Sequence, residues 1–143
     1  MGCRIEFLRQ VPVIDDGDSG VFLRSPRDGN PQGTDCVEVA LIDDDKLPRY
    51  ASGTVLSLVA PRITAAPQRI GDWNTLTVRT IGSKLTSSIN GTLVSDVDLF
   101  KGRWRRRDVV GQSPRTEGHI GLQGLPNSAV QFRNLRIRPI SAS

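Results

Sequence analysis

With 143 residues, 37% of them hydrophobic and 24% charged, the chain is long enough for one domain with its own core and too short for two. Its 14 Gly and 9 Pro point to a folded, turn-rich chain and away from a helical bundle or a disordered tail. The formal net charge of +4 is concentrated in KGRWRRRD (101–108), which reads either as a phosphate-binding patch with Trp104 as stacking platform or as a solvated basic loop. No second basic stripe supports the patch, so no nucleic-acid partner is expected.

No apolar run approaches the ~18 residues that span a bilayer, and the start MGCRIEFLRQ lacks the regions of a secretory leader. These features leave the compartment open between the cytoplasm and a trimmed or mature piece of an exported chain. Short period-2 segments separated by Gly, Pro, Asn and Asp clusters predict an all-β, antiparallel β-sandwich or jelly roll forming a single domain over 1–143.

In chain order, CRIEFLR (3–9) and GVFLR (20–24) are the first two strands, separated by the DDGDSG turn. SPRDGNPQG (25–33) is a loop. DCVEVALID (35–43) is a third strand, with Val37, Val39 and Leu41 on one face and Cys36, Glu38 and Ala40 on the other. In an antiparallel meander Cys3 and Cys36 flank one central strand, too far apart for a disulfide, so two free thiols are expected. GTVLSLVAP (53–61) is a further strand. WNTLTVRTIGSKLTSSINGTLVSDV (73–97) gives three strands, with turns at Gly82-Ser83 and Asn90-Gly91, the latter suiting a type I′ turn. HIGLQ (119–123) and VQFRNLRIRPI (130–140) read as a closing hairpin. Phe132 and Leu135 break strict alternation, which predicts a β-bulge at Arg133-Asn134 that returns both apolar residues to the core.

The usual catalytic signatures are absent: no phosphate loop, no nucleophile elbow and no metal-ligand spacing, so neither metal nor cofactor is expected. What remains is polar side chains on strands. His119 and Gln123 share a face with the small Gly121 between them, which reads as a groove for a polar ligand or as a plain solvated sheet face. Arg24 and Glu38 read as functional groups or as a structural ion pair between neighbouring strands.

Four segments in order resemble the 3-keto-disaccharide hydrolase domain family: DSGVFLR (18–24), VEVALIDDD (37–45), GDWNTLTVRTIGSKLTSSINGTLV (71–94) and GHIGLQGLPNSAVQFRNLRI (118–137). The resemblance implies a concanavalin-like jelly roll, a carbohydrate ligand, and a periplasmic or secreted location. It implies a glycoside hydrolase acting by removal of the acidic C2 proton of a 3-keto sugar and expulsion of the aglycone, or a non-catalytic sugar-binding domain of the same fold. Glu38 is then the base, Arg24 the cation that faces the enolate or orients the carboxylate, and His119 a second acid/base. Asp43, Gln123, Arg133 and Asn134 contact hydroxyls, and Tyr50 stacks on a ring or packs a loop. Two positions depart from the family pattern. Ala40 stands where it places Gln, and Gly124-Leu125-Pro126 replaces Asp-His-Gly. Strands that precede 3–9 in the family have no counterpart, so either a partner chain or dimer, or a remodelled sandwich, is expected to compensate for an open edge or face.

Overall fold

The computed structural model describes residues 1–9, 18–27, 36–42, 52–55, 68–69, 71–101, 116–124 and 130–141. Within them are eight strands and no helix: β1 Gly2–Arg9, β2 Asp18–Ser25, β3 Val37–Ile42, β4 Trp73–Ile81, β5 Lys84–Ile89, β6 Thr92–Asp98, β7 His119–Leu122 and β8 Val130–Arg138. They form two antiparallel sheets. One has five strands in the order β6-β5-β4-β1-β8, the other three in the order β3-β2-β7.

The alternation seen in the sequence sets which side chains meet between the sheets. Val21 and Leu23 of β2 and Val37, Val39 and Leu41 of β3 pack against Cys3, Leu76, Val78, Leu85, Ile89, Val94 and Val97 of the five-stranded sheet in one core. Each fully buried aliphatic side chain there contributes roughly 1.5–3 kcal/mol by leaving water. The Gly53 carbonyl reinforces the closure by accepting from the hydroxyls of both Ser87 and Ser95. Residues 52–55 also line the free edge of β3, where Ala40 N donates to Thr54 O and Gly53 N to Ala40 O. The strand expected over 53–61 is represented by a single bridge, Val55 to Val39, and its remainder lies outside the described residues.

Two pairings expected from chain order are replaced. β1 does not begin a meander with β2; it lies between β4 and β8 in the other sheet. Cys3 and Cys36 are therefore associated with different sheets, and both are buried thiols outside any disulfide. Burial raises the Cys3 pKa and keeps that thiol protonated. Likewise β7 and β8 are not a hairpin, because β7 pairs with β2 while β8 pairs with β1. Period-2 patterning tells which face a residue occupies and says nothing of which sheet its strand joins.

The Asn90-Gly91 turn forms as expected, with φ of 49° and 83° at the two positions. Asn90 Oδ1 accepts from Thr75 N at 2.9 Å, and its Nδ2 donates to Asn74 Oδ1 at 2.9 Å. Asn74 is buried, and it also accepts from Arg69 N and donates to the carbonyls of Arg69 and Asp72. These bonds account for the Asn of the GDWN motif as a structural hub.

Candidate functional site

β2 and β3 pair with Phe22 opposite Glu38 and Gly20 opposite Ala40, and β2 and β7 pair with Phe22 opposite Gly121. Gln123 N donates to Gly20 O at 2.9 Å, extending that register so that Gln123 stands opposite Gly20. Directly opposed residues share a face. Glu38, Ala40, Gly20, Phe22, Gly121 and Gln123 therefore lie together on the side of the three-stranded sheet turned away from the core.

Gly20 lies at the middle of this face. A Cβ there would stand 2.8 Å from Glu38 Oε1 and 3.2 Å from Glu38 Cγ, so the carboxylate leans over the glycine. From the other side comes Gln123, whose backbone is pinned by Ser19 Oγ donating to its carbonyl at 2.8 Å. Gln123 Oε1 is buried with no hydrogen-bond partner among the described residues. A buried acceptor without a partner carries a penalty of about 1–3 kcal/mol that a bound hydroxyl relieves. Phe22 and Ala40 are buried and Glu38 is half-buried, so the face is sheltered and not an open solvated sheet.

Arg24 is diverted from this group by a bulge. Between the pairs Phe22–Gly121 and Ser25–His119, β2 has Leu23 and Arg24 where β7 has only Ile120. Arg24 takes φ of 55°, and its Nη2 donates to Gly82 O at 2.7 Å, in the β4–β5 turn of the opposite sheet. Burial lowers the Arg24 pKa. Gly118 fits against the bulge so closely that a Cβ would fall 2.5 Å from the Arg24 carbonyl carbon. Phe22, not Arg24, is the residue directly opposite Glu38.

His119 is exposed, with Nδ1 3.4 Å from Ser25 O. Two strand spacings and two residues of rise place its α-carbon roughly 12 Å from that of Glu38. It forms a rim to the face.

Arg133 and Asn134 belong to β8, in the five-stranded sheet. Arg133 Nε donates to Glu6 Oε2 at 2.7 Å, Asn134 Nδ2 donates to the same oxygen at 3.0 Å, and the Arg133 guanidinium lies 3.8 Å from the Trp73 ring centre. The structure therefore does not bring them to Glu38 and Gln123. These hydrogen bonds, Arg133's first, hold the Glu6 carboxyl below its usual pKa. The bulge predicted here is present, with Asn134 at φ of 53° and two residues, Asn134 and Leu135, set against Ile5. Leu135 nevertheless stays 49% exposed, and Ile137, paired with buried Cys3, is 60% exposed. A bulge corrects a residue's direction but does not supply the layer that would cover it.

Asp43, Tyr50 and the KGRWRRRD segment beyond Lys101 lie outside the described residues. Period-2 reading missed Gly20 and Phe22 as the floor between Glu38 and Gln123, although the small-large alternation in DSGVFLR carries the signal. Among the described residues, no group of three His, Cys, Asp or Glu is arranged to hold a metal ion, and no helix is long and apolar enough to cross a membrane.

The family model described as 3-keto-alpha-glucoside-1,2-lyase-like domain matches residues 4–138. Among solved structures, a candidate glycosyl hydrolase from Parabacteroides distasonis superposes with a TM-score of 0.79 at 23% identity, covering 97% of this chain and 77% of that one. A second candidate glycosyl hydrolase from the same organism gives 0.66 at 19% identity, covering 94% and 67%. The carbohydrate-binding module CBM66 from Bacillus subtilis gives 0.58 at 13% identity, covering 94% and 71%. These likenesses establish the jelly-roll β-sandwich. No curated protein matches the chain by sequence.

Proposed function

The chain belongs to the 3-keto-alpha-glucoside-1,2-lyase-like domain family, and from that premise we propose that it cleaves a 3-keto glycoside on the outer face of the three-stranded sheet. The observation that carries this reading is the Glu38 carboxylate leaning over Gly20, with Gln123, whose Oε1 is buried and unpartnered among the described residues, standing opposite that glycine on the neighbouring strand. A carboxylate above a side-chain-free floor, beside a neutral amide, suits removal of a proton next to a ketone.

Glu38 takes the C2 proton, which the C3 ketone has made acidic. The electron pair of that C–H bond forms the enolate, then expels the aglycone as the C1–O bond breaks. The leaving oxygen takes up a proton, and water adds to the unsaturated sugar to complete hydrolysis. Gln123 offers amide hydrogen bonds to the sugar's oxygens without placing a second full charge beside Glu38. His119, at the rim, supplies the aglycone proton. Arg24, tied to Gly82 O, serves as a positioning residue that fixes the bulged end of β2.

The test is aglycone release from a chromogenic 3-keto glucoside in deuterated water. We expect deuterium exchange at C2, and we expect Glu38→Gln to lower kcat by about 10²-fold or more. Undiminished turnover in that variant removes Glu38 as the base. A second reading is favoured by buried Ala40, which stands on this face where the family pattern has Gln. In that reading the domain binds sugar without cleaving it, as the fold shared with a carbohydrate-binding module allows. Calorimetric binding of the keto glucoside with no aglycone release selects it.

A further inference from the structure

The outer face of the five-stranded sheet carries a second polar surface, unrelated to Glu38. Gly2 pairs with both Arg79 of β4 and Arg138 of β8, while Arg4 pairs with Thr77 and Arg136. Cys3, between Gly2 and Arg4, points into the core, so Arg4, Arg79, Arg136 and Arg138 share the opposite face of three adjacent strands. All four are exposed. Among the described residues no carboxylate lies within ion-pair distance of any of them, and Glu6 feels the Arg4 charge only as a longer-range contribution. Arg4 and Arg136 stand directly opposite each other, an arrangement that destabilises a sheet. Nothing in the packing of the fold calls for it.

The same face shows how it holds a carboxylate. Glu6, one row further along β1, receives Arg133 and Asn134 on a single oxygen, and this binding lowers its pKa. We propose that this face docks an acidic, uronate-bearing polysaccharide through Arg4, Arg79, Arg136 and Arg138. The planar guanidinium fork matches carboxylate geometry; Arg4 and Arg136 stand about 5 Å apart, Arg138 follows Arg136 by about 7 Å along β8, and Arg79 lies about 10 Å from Arg138 across Gly2. Other anionic partners fit less well. Arg133 covers a face of the Trp73 ring at 3.8 Å, which leaves that face closed to a nucleobase. Ile140 lies over Gly2 between Arg79 and Arg138, and with Thr75, Thr77, Thr86 and Ser88 around it the face has too little apolar surface to enter a membrane. The choice of a sugar polymer rests on the sugar-acting reading above; the charge geometry does not.

The test is binding of the whole chain to polygalacturonate at low and high salt, with neutral dextran, single-stranded DNA and phosphatidylserine vesicles as comparison arms. Polygalacturonate should bind at low salt and weaken steeply as salt rises, and dextran should not bind this face. The double variant Arg4→Gln, Arg136→Gln should bind about tenfold more weakly, and Arg138→Gln alone should weaken binding in the same direction. Arg27→Gln, an exposed cation just past β2 in the three-stranded sheet, should leave binding unchanged. The double variant should also melt no lower than the native chain, because a like-charge contact is gone. No polygalacturonate binding at low salt, or equal binding by these variants, overturns the proposal. So does tighter binding of DNA or vesicles with the same arginine dependence. Turnover of the keto glucoside should survive the double variant, and polygalacturonate binding should survive Glu38→Gln, so the two readings fail separately.

Discussion

Gly20→Ala isolates the site from the fold. The added methyl would sit 2.8 Å from Glu38 Oε1, 3.2 Å from Glu38 Cγ and 3.3 Å from the Val39 carbonyl oxygen. The first two neighbours belong to a flexible side chain that can swing away, and only the carbonyl must yield, by a few tenths of an ångström. Against that strain stands a gain of about 0.4–1 kcal/mol from the stiffer unfolded chain. The net change in stability should stay within about 1 kcal/mol, equivalent to about 4 °C in melting temperature for a domain of this size. The carboxylate, however, must retreat from 2.8 Å to about 3.4 Å or beyond, a shift of at least about 0.6 Å, and displacement of a reacting group approaching 1 Å costs up to about 10²-fold in rate. Turnover of a chromogenic 3-keto glucoside should therefore collapse while the melting curve barely shifts. Turnover within about twofold of native at an unchanged melting temperature would refute the placement of the reacting base above Gly20.

Gly118→Ala should behave in the opposite way, since its methyl meets the Arg24 carbonyl at 2.5 and 2.7 Å and the Ser25 carbonyl oxygen at 2.7 Å, all backbone. We expect a loss of at least about 3 kcal/mol in urea unfolding, and native stability would show that the β2 bulge tolerates a side chain. Asn90→Ala removes a residue suited to φ of 49° and leaves Thr75 N without its acceptor, so a loss of about 2 kcal/mol should appear in thermal melting. Glu6 has a lowered pKa in the folded state, so its contribution is present at neutral pH and fades as pH falls below the ordinary 4.5 through the lowered value. Unfolding measured at neutral and acidic pH should show a weaker acid dependence in Arg133→Ala than in the native chain; identical curves would dissociate Arg133 from the Glu6 pKa.

Much of the strand pattern was legible because a half-buried sheet writes its period into the chain: Val37, Val39 and Leu41 turned inward as their spacing required. The β8 bulge was legible too, since Phe132 and Leu135 are both apolar and three apart. The β2 bulge was not, because the residues after Leu23 are Arg24 and Ser25, both polar, and no apolar position slips. Partner choice was beyond reach for a different reason. Glu38 and Gln123 share a face only because β2 lies between β3 and β7, and Arg133 parts from Gln123 only because β8 joins the other sheet. Those are long-range packing decisions that leave no local periodic trace.

The position of β1 between β4 and β8 also bears on how the molecule assembles. As the chain leaves the ribosome, its first strand has neither neighbour until more than half of the sequence has followed. Among the described strands, β4, β5 and β6 are the ones joined by short turns and able to pair promptly, while β1 must wait as an unpaired, aggregation-prone edge. High contact order of this kind slows folding. In a heterologous host, yield should accordingly depend more on translation rate and chaperone supply than on the melting temperature of the finished domain.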